Sequence, residues 1–272
     1  GDLTCHPTCL PGPELGHACS PERLSKSEGE GEGEDDDPTP IPINGYQTDG
    51  LVDVACDYLT TGRDKSRPFC MVVSVEAPHP PYEAPPALEA QWKARELELP
   101  PNFAAETQEQ REAWILQRKI YYAMVENLDT NVGRMRAVLE ELGLAQDTVV
   151  VFLADHGENL GAHGVVSKQR PWEESVGVPL IVYDPRQPER AGTVLQEPTC
   201  TEDLFPTFLG LAGRTPRDEL PGTDLSHLIR GQAEGLDREG VLLEFVAELR
   251  PGLPFHDEVW RGFRSQRYKY TV

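Results

Sequence analysis

Tyr121, Val125, Leu128, Val132, Met135, Leu139 and Leu142 recur in steps of four and three, with charged residues between them and Gly143 behind them. That period predicts the longest helix of the chain, stopped at the glycine. Residues 148–154, TVVVFLA, are instead a continuous run rich in β-branched side chains, the pattern of a strand buried on both faces. Residues 69–75, FCMVVSV, read as a second buried strand that a proline-rich loop stops. Further strands are predicted in VGVPLIVYDP, GVLLEFV and WRGFRSQRYKYTV. Leu51, Val54, Ala55, Tyr58 and Leu59 have helical spacing, with Asp49 placed to cap, and TEDLFPTFLGLAG reads as a helix ending at Gly213. Strands alternating with helices predict an α/β fold built on a mostly parallel central sheet flanked by helices.

Composition narrows the class of partner. The 272 residues carry a net charge of −21, which argues against nucleic acid or an anionic membrane surface. No apolar run approaches the roughly 20 residues of a membrane span. Residues 1–45 are rich in Cys, Pro and Gly and include an acidic run from Glu28 to Asp37, so an irregular, poorly ordered insertion is expected there. The six cysteines lack the spacing of a zinc knuckle, leaving disulfides or buried thiols at Cys56 and Cys70 as the alternatives. The chain opens on Gly1 and stops in the alternating segment RYKYTV, which suggests a piece of something longer.

Candidate chemistry collects where strands end. The run at 148–154 gives way to Asp155-His156-Gly157-Glu158, and Lys168 and Arg170 follow in the same loop. The strand at 69–75 leads to His79. In open α/β sheets, ligands bind beyond the carboxyl ends of the strands. A carboxylate and an imidazole on one tight turn can face a single cation, although neither fills its shell. Lys168 offers a positive point charge to an anionic oxygen. Taken singly, Asp-His-Gly is ordinary turn chemistry, His79 is a loop residue and Lys168 is a solvated charge. The case rests on the constellation and its order.

That order resembles the sulfatase family, within the alkaline-phosphatase-like superfamily of metal-dependent ester hydrolases. The resemblance is carried by PFCMVVSVEAPHPPYEAP, DTNVGRMRAVLEELGLAQDTVVVFLADHGENLGAHG, SKQRPWEESVGVPLIVYDP, TEDLFPTFLGLAG, LPGTDLSHLIRG and FRSQRYKYTV, in that order over residues 46–272. It implies that Asp155 and His156 are the later pair of metal ligands, for calcium or in some relatives magnesium. It implies that Lys168 binds a sulfate oxygen and that His79 contacts the sulfate and assists departure of the alcohol. Both are catalytic and substrate-binding roles. Family members are often secreted, periplasmic or lysosomal.

The family's nucleophile is a formylglycine, made from cysteine or serine in a Cys-x-Pro-Ser-Arg type motif. It follows an Asp-Asp metal pair and precedes a Gly-Lys-Trp-His segment, and none of these three features occurs here. Cys5 in CHPTC comes nearest, but Cys9 stands where the arginine belongs. The resemblance therefore implies a fold incomplete at its N-terminal side. Residues 46–235 would be the later part of the catalytic domain, and 236–272 the start of a smaller C-terminal subdomain. The implied activity of the parent protein is hydrolysis of a sulfate monoester, of a sulfated sugar above all, with this chain alone inactive. Two alternatives stay open: a phosphonate or phosphodiester hydrolase of the same superfamily, and a truncated paralogue that binds anions or glycans without turnover.

Overall fold

The computed structural model describes residues 43, 45–215, 219–246 and 259–272. The expected irregular segment, with Cys5, Cys9, Cys19 and the acidic run, lies almost wholly outside the described residues. Helix α1 (Gln47–Asp57) continues into a wider π turn at Tyr58–Gly62. Helix α2 (Pro86–Lys93) and the long α3 (Gln108–Glu141) follow. Strand β1 (Val150–Leu153), the one-turn helix α4 (Glu173–Val176) and strand β2 (Leu180–Tyr183) make the middle of the chain. Helices α5 (Leu204–Leu211) and α6 (Ser226–Ile229) precede strands β3 (Gly240–Phe245), β4 (Trp260–Ser265) and β5 (Lys269–Thr271).

Helix α3 has 34 residues, about 50 Å at 1.5 Å per residue, and organises the helical layer. Its start is capped by the Thr107 hydroxyl, which accepts from the Gln110 N–H at 3.1 Å. Its end is closed by Gly143, left-handed at φ +69°, with the Leu144 N–H bonded back to the Leu139 carbonyl at 2.8 Å. Ile120, Ala123 and Met124 bury against Ala84 on one side, with Tyr82, Leu88 and Trp92 packed around them. Val125, expected on the apolar stripe, faces outward. Asn127 and Asn131 are buried further along the helix, and both donate to the Asp49 carboxylate, at 2.8 and 2.7 Å. Asp49 thus ties α1 to α3 instead of capping its own helix. A partly buried carboxylate is stabilised by such donors, so two asparagines that a hydropathy pattern passes over set the helix–helix contact.

The α/β class holds, and strands form in the apolar runs at 150–153, 180–183, 240–245, 260–265 and 269–271, but not in the run at 69–75. Their pairing differs from the expected parallel sheet. Strands β1 and β2 pair antiparallel, with Val150 opposite Tyr183 and Leu153 opposite Leu180. Strands β3, β4 and β5 form a second, antiparallel sheet. The reason lies in the connection: the chain between β1 and β2 contains only the single turn α4, with no long crossover helix to return it in parallel. Residues 69–75 carry no regular secondary structure and join no ladder with a described strand. Cys70, Val72 and Ser74 alternate outward along them, with Val72 77% exposed.

Candidate active site

Asp155 and His156 occupy the turn just past β1. The His156 N–H donates to Asp155 Oδ1 at 2.8 Å, and the Nε2 of the same imidazole stands 3.4 Å from Oδ2. Nδ1 lies 2.9 Å from the Gly157 carbonyl, which can only accept, so Nδ1 carries a hydrogen there and Nε2 is the ring nitrogen on the Asp155 side. The Asp155 side chain is 84% exposed and that of His156 38%. Gly157 is where the turn meets α4: its N–H donates to the Ser175 carbonyl at 2.8 Å, and a Cβ would stand 2.0 Å from the Glu174 carbonyl oxygen. Only glycine allows this approach.

The loop beyond is held from inside. Glu158 accepts through Oε1 from the Leu160 N–H at 3.3 Å and, in a shorter bond, from the Ser167 N–H. Asn159 closes the same lobe, its backbone N–H and Nδ2 donating to the Ser167 carbonyl at 2.9 and 2.6 Å. Buried Arg118 reaches up from α3 to donate to the Leu160 carbonyl at 2.8 Å. Gly161, at φ +87°, lies so close to Phe103 that a Cβ would stand 2.5 Å from that ring. His163 stacks on Trp172 with ring centroids 4.3 Å apart and reaches Glu174 at 3.3 Å. Asn102 donates to Glu174 at 2.6 Å. Burial pushes the Glu174 carboxyl up, but the bonds from Asn102 and His163 outweigh it and leave it below its ordinary value.

Lys168 stands in this lobe between two non-glycine residues in left-handed conformation, Ser167 at φ +74° and Gln169 at φ +73°. It is half-buried and has no ion-pair partner among the described residues. His79 is exposed in the proline-rich loop, its Nδ1–H donating to the Pro80 carbonyl at 2.7 Å. No hydrogen bond or ion pair among the described residues joins His79 to Asp155, His156 or Lys168. The two loops are neighbours nonetheless. Burial first, and then the Glu158 charge, raise the phenol of Tyr82, three residues after His79, as they do that of Tyr121.

The donor set suits a cation in kind, since a carboxylate oxygen and an imidazole nitrogen lie 3.4 Å apart. It falls short in number: among the described residues no group of three or more metal-ligating side chains occurs, and calcium takes six to eight ligands. Sequence reasoning passed over Glu158, Asn102 and Glu174. Of these only Glu158 had a signal, its place next to Gly157 in the Asp-His turn.

A sulfatase family model matches residues 19–214. An ulvan-active sulfatase from Formosa agariphila is 32% identical over 233 residues, covering 83% of this chain and 44% of the relative. Among solved structures, one in complex with its substrate D-glucosamine-2-N,6-O-disulfate superimposes with a TM-score of 0.72 at 20% identity, over 86% of this chain and 62% of that one. A phosphonate monoester hydrolase of Agrobacterium radiobacter superimposes at 0.69 and 24% identity, over 85% of this chain and 54% of that one. At those identities the two superpositions speak for the alkaline-phosphatase-like fold alone. The chain spans about half the length of the relatives it matches. No helix among the described residues is long and apolar enough to cross a membrane. With the family model covering most of its length, the chain belongs to the sulfatase family.

Proposed function

We propose that this chain supplies the metal-binding turn and the anion-binding lysine of a sulfatase, an enzyme that splits a sulfate monoester and water into an alcohol and sulfate. The observation that carries the reading is Lys168: a half-buried lysine without a carboxylate partner among the described residues, held in the lobe that the Asp155–His156 turn opens. An ammonium of this kind is stabilised when an anionic oxygen completes it with a charge-assisted hydrogen bond. Residues 46–235 would form the later part of the catalytic domain and 236–272 the start of the C-terminal subdomain.

Each residue has one task. Asp155 Oδ2 and His156 Nε2 hold a calcium ion, or magnesium, together with ligands from outside this chain. When bound, the cation withdraws charge from the sulfate oxygens and lowers the repulsion of the ester by a protein of net charge −21. Lys168 donates to a sulfate oxygen and fixes the group. His79, with Nδ1–H tied to Pro80, presents Nε2 outward. As the S–O bond breaks, negative charge gathers on the ester oxygen, and a proton on His79 Nε2 passes to that oxygen so that a neutral alcohol leaves. The formylglycine nucleophile has no site in this sequence, so the chain by itself would not turn over. Sulfated sugars are the substrates this reading favours, as with the relative that acts on ulvan.

The likeness to a phosphonate monoester hydrolase supports a second reading, in which the same lobe takes a phosphonate ester. The two are separated by comparing kcat/KM for 4-nitrophenyl sulfate and for 4-nitrophenyl phenylphosphonate, using the protein at its native full length with calcium. Preference for the sulfate ester supports the sulfatase reading. Preference for the phosphonate ester overturns it.

A further inference from the structure

The conformation around Lys168 depends on a residue far along the chain. Ser167 and Gln169 both lie in the left-handed region, which costs a non-glycine residue roughly 1–2 kcal/mol. Such residues persist only where neighbours hold them. Ser167 is held on both sides from within the lobe, by Glu158 at its N–H and by Asn159 at its carbonyl. The Gln169 carbonyl accepts from the indole N–H of Trp260, on β4, at 3.0 Å and 91 positions away. The same sheet is tied to the start of α4 by Arg264, whose Nε donates to Glu173 at 2.8 Å, and by Lys269 at 3.7 Å from the same carboxylate.

We infer that Trp260 is a positioning residue for Lys168: its N–H fixes the Gln169 carbonyl and thereby aims the lysine from the second sheet. The inference rests on the reading of Lys168 as the anion-binding group. Trp260 does not touch substrate. It makes the three-stranded sheet part of the anion site's geometry, so the lobe is shaped only when that sheet is docked.

The test is the affinity for inorganic sulfate, measured by isothermal titration calorimetry on the calcium-loaded protein at its native full length. Wild type is compared with Lys168→Ala, Trp260→Phe and the double variant, with a thermal melt of each. Lys168→Ala judges the reading beneath: if it binds sulfate as wild type does, both that reading and this inference fall. If Lys168→Ala weakens binding, the inference expects Trp260→Phe to weaken it by about 3–10-fold, the worth of one ordinary hydrogen bond, and to add nothing in the double variant. Wild-type affinity in Trp260→Phe, or a full independent loss on top of Lys168→Ala, overturns the inference alone. Should Trp260→Phe fail to fold, replacement of Trp260 by benzothienylalanine keeps the shape and removes only the N–H, with the same outcomes.

Discussion

His156 Nε2 faces Asp155 Oδ2 across 3.4 Å while its Nδ1 is pinned to the Gly157 carbonyl. The pinning leaves Nε2 as the nitrogen that faces the carboxylate, and the proposed function makes this pair a two-donor arm for a cation. Asp155→Asn keeps the shape and removes the charge. Calcium affinity of the native full-length protein should fall at least as far as the 10–100-fold, roughly, that loss of a supporting residue costs a metal site. Calorimetric titration checks this, and unchanged affinity would remove Asp155 from the ligand set.

Gly157→Ala should be among the most damaging small substitutions in the chain. Its Cβ would stand 2.0 Å from the Glu174 carbonyl oxygen, a backbone atom that cannot swing aside. Overpacking of this kind costs about 1–3 kcal/mol. The turn and α4 would have to part, so calcium affinity should drop with the midpoint of thermal unfolding. A variant with wild-type values of both would show that the turn and α4 pack more loosely than described.

Stability should fall on the acid side through Asp203, which is 0% exposed. Burial alone would raise its carboxyl, but Arg238, donating at 2.9 and 2.6 Å, and the N–H groups of Thr223 and Cys200 outweigh that and hold it below its ordinary value. A folded-state value below the unfolded one gives stability that is present above about pH 4, the ordinary aspartate range, and is lost as pH falls through the folded value. Arg238→Met strands a buried carboxylate and should cost about 3–5 kcal/mol at neutral pH. It should also abolish the acid-side loss, because the carboxyl then gains by taking up a proton. Urea unfolding at pH 7 and at about pH 2, below the ordinary aspartate range, measures both effects.

Cysteine reactivity should separate by environment. Burial, foremost, and neighbouring acidic groups push the Cys200 thiol up to about 12, whereas Cys70 is exposed in segment 69–75, which pairs with no described strand. In this chain, iodoacetamide at pH 8 should label Cys70 well ahead of Cys200, read by peptide mass spectrometry. The reverse order would mean that segment 69–75 is covered.

What could be read in advance follows from the range of the interactions involved. The end of α3 at Gly143, strands β1 and β2, and the Asp155–His156 turn are local matters of period, β-branching and turn chemistry. Strand direction is not, because a β-branched run looks the same whichever way its partner runs. The burial of Asn127 and Asn131 over Val125 was hidden for a related reason: it depends on Asp49, which lies in another helix. Of the candidate site, the family pattern supplied Asp155, His156, Lys168 and His79. The scaffold that shapes the lobe was not legible, since Arg118, Asn102 and Trp260 come from distant elements and carry no motif.

The most direct test of the account is kcat/KM for 4-nitrophenyl sulfate with the protein at its native full length, wild type beside Lys168→Ala. Loss of a charge aimed at the developing anion should lower it by about 100–1,000-fold, with the thermal midpoint preserved. Equal rates in the two proteins would contradict the claim that this lobe grips the sulfate.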